Sequence, residues 1–279
     1  MSRIPNFLHL GPGKSGSTWL HETLSLHPQA YLSEAKDLYY FSRFYDRGTQ
    51  WYLAQFAGAG DQPVVGEVCP DYLAEPLAPQ RVHDTLGPDV RLMVSLRDPV
   101  DRAFSSYLYA AKHGAAAPTF RETAMARPEL IDEGRYGTQL LAFARLYPAS
   151  QIHVSVFDDL QASPQDYLDE VTSWLEIDRF EIPAAQLEAT LPASKARFVP
   201  VARVAQVGAD WVRKHDGARV IGRVKRSSLV QRVLYTPLGD ARPTITEDDA
   251  AWVRENLAGE IDTVEREFGL DLTSRWGWT

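Results

Sequence analysis

Sulfur is scarce in this chain: one cysteine, Cys69, and three methionines among 279 residues. A single thiol excludes an internal disulfide framework and any cysteine-rich zinc site, which predicts a reducing, cytoplasmic setting. Long apolar runs are also missing, and none approaches the ~18 residues needed to span a bilayer. The first residues, MSRIPNFLHLG, run straight into a β-type segment, so no signal peptide is expected. Positive charge is in deficit: 29 Lys and Arg stand against 37 Asp and Glu, a net charge of −8. That balance argues against nucleic-acid binding and obliges any anionic ligand to be held by a local basic cluster. There is no internal repeat, no low-complexity tail and no cluster with metal-ligand spacing.

What is present is enough for one α/β core, with 44% hydrophobic and 24% charged residues. Apolar β-type runs recur at Phe7–Leu10, Val64–Val68, Val90–Leu96 and Ile152–Phe157. Helical periodicity lies between them at Thr18–Leu26, Pro79–Leu86, Val100–Lys112 and Pro164–Leu175, where Ser163 and Pro164 mark a helix start. This alternation predicts a central parallel sheet flanked by helices on both faces, in a single domain over residues 1–279. A last amphipathic helix is expected over Glu247–Phe268, and loops over 114–119 and 181–200.

Residues 7–20, FLHLGPGKSGSTWL, describe a strand, a glycine-rich turn and a helix start. Glycines let the backbone approach an anion, and the N–H groups of the first helical turn then point at it. The nucleoside-triphosphate version, G-x-x-x-x-G-K-[ST], would need a glycine at position 8, which is Leu8. The register that fits is Gly11-x-x-Lys14-x-Gly16-Ser17-Thr18. A second signal, LMVSLRDPVDRAFSSY, ends a buried strand in Arg97 and turns at Asp98-Pro99 into a helix carrying Ser105. An arginine at a strand end offers a planar fork to a phosphate. Both signals follow strands directly, so both are expected to open onto one crevice beyond the sheet's carboxyl edge.

The two motifs together, in this order and about 80 residues apart, resemble the phosphate-binding motifs of sulfotransferases that use 3′-phosphoadenosine-5′-phosphosulfate (PAPS). Ser194-Lys195-Ala196-Arg197, with Pro200, is similar to the S-K-G-R-x-x-P segment of the heparan-type members, with Ala196 in the glycine's place. Gly134-x-Tyr136 and the closing GLDLTSRWG are similar to other parts of the same family, so that the likeness extends over nearly the whole chain. It is nearest to the Golgi-type, heparan-sulfate-like and bacterial carbohydrate enzymes. The resemblance implies a P-loop-like α/β fold and PAPS as cosubstrate, with 3′,5′-adenosine bisphosphate (PAP) as product and no metal. It implies a nucleotide site of Lys14, Ser15, Gly16, Ser17, Thr18, Trp19, Arg97, Ser105, Tyr136, Lys195, Ala196 and Arg197. On its own chemistry Tyr136 reads as a core residue.

In-line sulfuryl transfer also asks for a base to take the acceptor's proton. The family's glutamate, in E-x-x-F-F, is matched by Asp37 in Lys36-Asp37-Leu38-Tyr39-Tyr40-Phe41. Aspartate is one methylene shorter and reaches about 1.5 Å less far. Asp37 is the expected base, with Glu34 and Glu67 as rivals. In Glu67-Val68-Cys69-Pro70-Asp71-Tyr72 the family's E-K-[ST]-P-x-Y is broken at Val68, which cannot supply the lysine's charge. Cys69 reads as a small buried residue, His27 beside Pro28 as a capping or packing residue, and His9 and His113 as structural.

The aromatic residues of 39–45, Trp51 and Tyr52 either line an acceptor cleft or fill the core. A small glycan, a lipid headgroup or a secondary-metabolite phenol all suit as acceptor, through a hydroxyl before an amine. Two other readings stand beside this one. A P-loop kinase is favoured by GKS but opposed by Leu8, and a nucleotide-binding homologue without turnover is suggested by Asp37 and Val68.

Overall fold

The computed structural model describes residues 3–187, 194–196, 235–237 and 244–278. Its centre is a five-stranded sheet of β1 (Phe7–Gly11), β2 (Ala30–Leu32), β3 (Val64–Val68), β4 (Arg91–Leu96) and β5 (Ile152–Val156). All four pairings are parallel, in the order β2-β3-β1-β4-β5. β1 therefore sits at the centre, where the chain's path through the sheet reverses direction. That reversal opens a crevice at the carboxyl ends of β1, β3 and β4.

Helices cover both faces, as the β–α alternation predicts. Alternate strand residues divide the core in two, because successive side chains point to opposite faces. Phe7, Val64, Val68 and Met93 face α1 (Ser17–Leu24), α8 (Phe157–Ala162) and α9 (Pro164–Trp174). Leu8, Leu10, Val65, Leu92 and Val94 face the other way. They meet α2 (Thr49–Ala54), α3 (Ala78–Leu86), α7 (Tyr136–Ala144) and the late helices α11 (Glu247–Phe268) and α12 (Leu272–Trp276). A third cluster joins α4 (Pro99–Lys112), α5 (Phe120–Ala126), α6 (Glu129–Asp132) and α11.

Several boundaries differ from the periodicity. β5 stops at Val156, because Phe157 already opens α8. β2 is three residues long, too short for alternation to reveal, and is held by pairing Ala30–Leu32 with Val64–Gly66. The stretch 181–200 is not all loop. It contains α10 (Ala184–Leu187) and β6 (Ser194–Ala196), which pairs antiparallel with β7 (Tyr235–Pro237) and passes alongside α4. A three-residue strand has no hydrophobic period of its own, so only its partner 40 residues on defines it. Arg197 lies outside the described residues.

Candidate active site

The turn after β1 is shaped by two glycines. Gly11 has φ +119°, and a Cβ there would lie 2.3 Å from the carbonyl oxygen of Pro70. The backbone after β3 is drawn this close because Cys69 N–H donates to His9 O and Leu73 N–H to Leu10 O. Gly16, with φ +83°, caps α1 in a left-handed conformation, and a Cβ there would meet Leu160 at 2.5 Å and the Phe157 ring. α8 thus packs directly under the turn. No side chain caps the N-terminus of α1 and no acid stands in its first turn. Its first N–H groups are left to a ligand or solvent. The Ser15 hydroxyl is fully buried in the same turn and meets no hydrogen-bond partner. An uncapped eight-residue helix beside an unsatisfied buried hydroxyl fits a phosphate or sulfate group.

Positive charge converges here. Lys14, itself left-handed at φ 72°, places its Nζ 3.7 Å from the centroid of the Tyr109 ring on α4. Burial pushes the Lys14 ammonium down to about 8; Glu133 works against this, while Lys36, Lys112 and Arg97 add to it. Those three cations are therefore neighbours of Lys14. Arg97 leaves the end of β4 and donates to the carbonyl of Lys14 at 3.0 Å. Its guanidinium lies over the Phe157 ring at 5.0 Å and 3.6 Å from Asp101.

The turn after Arg97 is fixed from several sides. Asp98 caps α4 by accepting from Val100 N–H at 2.7 Å and also accepts from the Trp278 indole. Arg97 and Asp98 thus serve separate partners and form no capping ion pair with each other. Tyr136 is buried and donates to the carbonyl of Arg97 at 2.9 Å, so it holds that strand end from beneath. Ser105 is half-buried two turns into α4. Arg102, on the same helix and fully buried, donates to Glu133 at 2.9 Å and to the carbonyl of Leu130. Trp19 lies edge-on against Tyr167, 5.9 Å between centroids, and packs toward α9.

Across the crevice, the segment after β2 carries the candidate base. Asp37 N–H donates to Val68 O, and the Asp37 carboxylate takes a 2.6 Å hydrogen bond from Lys36 Nζ. The Asp37 side chain is 19% exposed. Asp37 (φ 64°) and Tyr39 (φ 54°) are both left-handed. Such non-glycine residues cost on the order of 1–3 kcal/mol each and persist only when the surroundings enforce them.

The rival acids sit differently. Glu34 is exposed. Glu67 is fully buried, accepts from Tyr72 at 2.8 Å and Tyr52 at 3.1 Å, and burial pushes its carboxyl up to about 8. Val68 is sealed in the core facing α1, where a charge would be buried. Cys69 is buried and its thiol is pushed up by burial. His27 packs as expected: its Nδ1 accepts from Gln29 N–H, so Nε2 donates to the carbonyl of Asp178 at 2.8 Å. His9 bonds Ser95, and burial lowers it to about 3, so it is neutral at physiological pH.

Lys14, Ser15, Gly16, Ser17, Thr18 and Arg97 thus meet in one crevice, with β6 backbone carrying Lys195 and Ala196 near α4. Sequence reasoning missed Tyr109, Lys112 and Lys36. Tyr109 was within reach of it, since it lies four residues after Ser105 and so on the same helical face.

A family model described as a sulfotransferase domain matches residues 5–189. The chain belongs to the sulfotransferase domain family. Among sulfotransferases in particular, the membrane-associated sulfotransferase kil1 of Dictyostelium discoideum is 36% identical over 107 residues, 37% of this chain and 22% of that protein. Heparan sulfate glucosamine 3-O-sulfotransferase 6 of Mus musculus is 29% identical over 185 residues, 63% of this chain and 54% of the relative. The chain therefore spans about half the length of the second relative and about a fifth of the first. A solved sulfotransferase from Alicyclobacillus acidocaldarius shares the fold, with a TM-score of 0.61, 24% identity, and coverage of 83% of this chain and all of that one.

Proposed function

We propose that the chain transfers the sulfuryl group of PAPS to a hydroxyl of a small glycan, lipid or secondary-metabolite acceptor. The observation that carries this reading is the junction of the cradle with Arg97: an uncapped helix start, a partnerless buried hydroxyl and a lysine at one end, and an arginine fork at the other. Two anionic groups held in one crevice suit a nucleotide phosphorylated at both 3′ and 5′ ends. Family membership and the likeness to glycan-directed relatives support the same reading.

The roles follow from chemistry. The first-turn N–H groups of α1 and the Ser15 hydroxyl hold the 5′-phosphate. Lys14 meets the negative charge that grows on the oxygen bridging sulfur and phosphorus. Arg97 and Ser105 hold the 3′-phosphate. As the acceptor oxygen bonds to sulfur, the bridging S–O bond breaks, PAP leaves, and the acceptor's proton passes to Asp37. Asp37 suits that task better than its rivals because it is partly exposed in the crevice, whereas Glu67 is walled in by two phenols and Glu34 faces solvent. The acceptor side is bordered by Tyr39 with the Arg43 guanidinium over its ring at 4.3 Å, a surface that stacks on sugar or aromatic rings.

Calorimetric titration of the purified protein with PAP, 5′-AMP and ATP, all without magnesium, tests the proposal. A strong preference for PAP is expected. Equal affinity for the three, or ATP binding that depends on magnesium, would overturn it.

A further inference from the structure

Two left-handed residues, Asp37 and Tyr39, need something to hold them, and the structure provides it in a chain of buried hydroxyls. Tyr40 N–H, immediately after the turn, donates to the Tyr72 hydroxyl at 2.9 Å. The same hydroxyl donates to Glu67 Oε1 at 2.8 Å, where Tyr52 also donates at 3.1 Å. Glu67, Tyr72 and Tyr52 are all fully buried, and Tyr40 stacks on Tyr52 with centroids 4.5 Å apart and planes 13° from parallel. The other end of the turn is tied by Asp37 N–H to Val68 O, one residue along β3 from Glu67. The turn is thus fastened at both ends to the last residues of β3, once by backbone and once through Tyr72.

We infer that Glu67 and Tyr72 are positioning residues for Asp37. A carboxyl buried with no cation of its own is costly unless hydrogen bonds satisfy it. Here two phenols satisfy one oxygen, Oε1, while Oε2 is buried without a partner, and one of those phenols passes the bond on to the backbone that carries the base. Hydroxyl chains of this kind polarise one another and are stiffer than single bonds. Glu67 touches no acceptor; it fixes where the Asp37 carboxylate stands, and with it the reach of a side chain one methylene shorter than glutamate. This rests on Asp37 as the base, so the test must separate the two ideas.

Tyr72→Phe removes one oxygen and leaves the ring in place. Hydrogen exchange at the Tyr40 amide is expected to accelerate at least about tenfold, with Leu8 in β1 unchanged, because only the local tie is cut. Turnover, read as PAP released from PAPS with water as acceptor, should fall by about 10²-fold while PAP affinity holds, in keeping with the cost of misplacing a base by about 1 Å. Glu67→Gln keeps an oxygen for both phenols and should retain most of the parent rate, whereas Glu67→Leu should lose it as Tyr72→Phe does. In an Asp37→Asn background, Tyr72→Phe should cost nothing more.

Three results would overturn the assignment: unchanged exchange at Tyr40, full turnover in Tyr72→Phe, or a Glu67→Gln variant as inactive as Asp37→Asn. The last would make Glu67 itself the base. If instead Asp37→Asn turns over normally, the base assignment fails and the positioning role falls with it. If only Asp37→Asn is slow and Tyr72→Phe is not, the base stands and the clamp alone is wrong.

Discussion

The two walls of the crevice are built by opposite means. The wall proposed for the nucleotide is built largely of backbone: glycine turns, uncapped helix N–H groups and an arginine resting on a main-chain carbonyl. On the acceptor side, side chains force backbone into shape, with Asp37 and Tyr39 left-handed against a stack of buried aromatic rings. A backbone cradle recognises a phosphate by geometry that only a few sequences permit. An aromatic frame can be refilled by many combinations, so it is suited to vary with the acceptor. On the proposed function, the first wall specifies the reagent and the second the target.

If that division is right, substitutions on the two walls fail differently. Asp37→Asn is expected to lower turnover by about 10²–10⁴-fold with PAP affinity unchanged, since only proton transfer is lost. A parallel loss of PAP affinity would erase the distinction between the walls. Lys14→Ala should lower turnover by about 10²–10³-fold, the scale of one lost transition-state donor, and weaken PAP as well. Because burial holds Lys14 near 8, PAP affinity of the free enzyme should also fall as pH rises through about 8 and the ammonium deprotonates. That decline should vanish in Lys14→Ala; a titration that is the same in both proteins would assign it to another group.

Arg97→Ala should cost about 1.5–3 kcal/mol in binding PAP, the worth of a charged hydrogen bond, and far less in binding 5′-AMP. Equal losses for the two nucleotides would remove the 3′-phosphate from this arginine. The smallest effect is expected at Tyr109, where Tyr109→Leu should reduce turnover only a few-fold, since a part-exposed cation–π contact is worth about 0.5–1 kcal/mol. Tyr109→Phe keeps the ring and should behave as the parent; a loss there equal to that of Tyr109→Leu would assign the effect to the hydroxyl.

The nucleotide wall was legible in the sequence because its parts are contiguous. Strand, turn and helix start fall within residues 7–24, and Arg97, Asp98 and the α4 start follow the same grammar. The parallel sheet was legible for the same reason, apart from β2, which is three residues long. The acceptor wall was not, because its bonds join residues that no local pattern links. Tyr40 meets Tyr72, and Tyr52 meets Glu67. Nothing in Glu67's neighbours tells a carboxyl in a strand that it will face two phenols. Val68 looked like a missing charge; in three dimensions its side chain faces the α1 core, while Lys36 stands against Asp37 in the loop that Val68 anchors.

The resting contacts of the cradle also bear on how a cycle ends. Arg97 already has the carbonyl of Lys14, and Lys14 already has the face of Tyr109. On the proposed function, an arriving nucleotide exchanges with these internal partners instead of neutralising bare charges. When the spent nucleotide departs, both cations have somewhere to return. Such an exchange lowers the net grip on product without weakening the contacts made at the moment of transfer, which favours rapid release after each turnover.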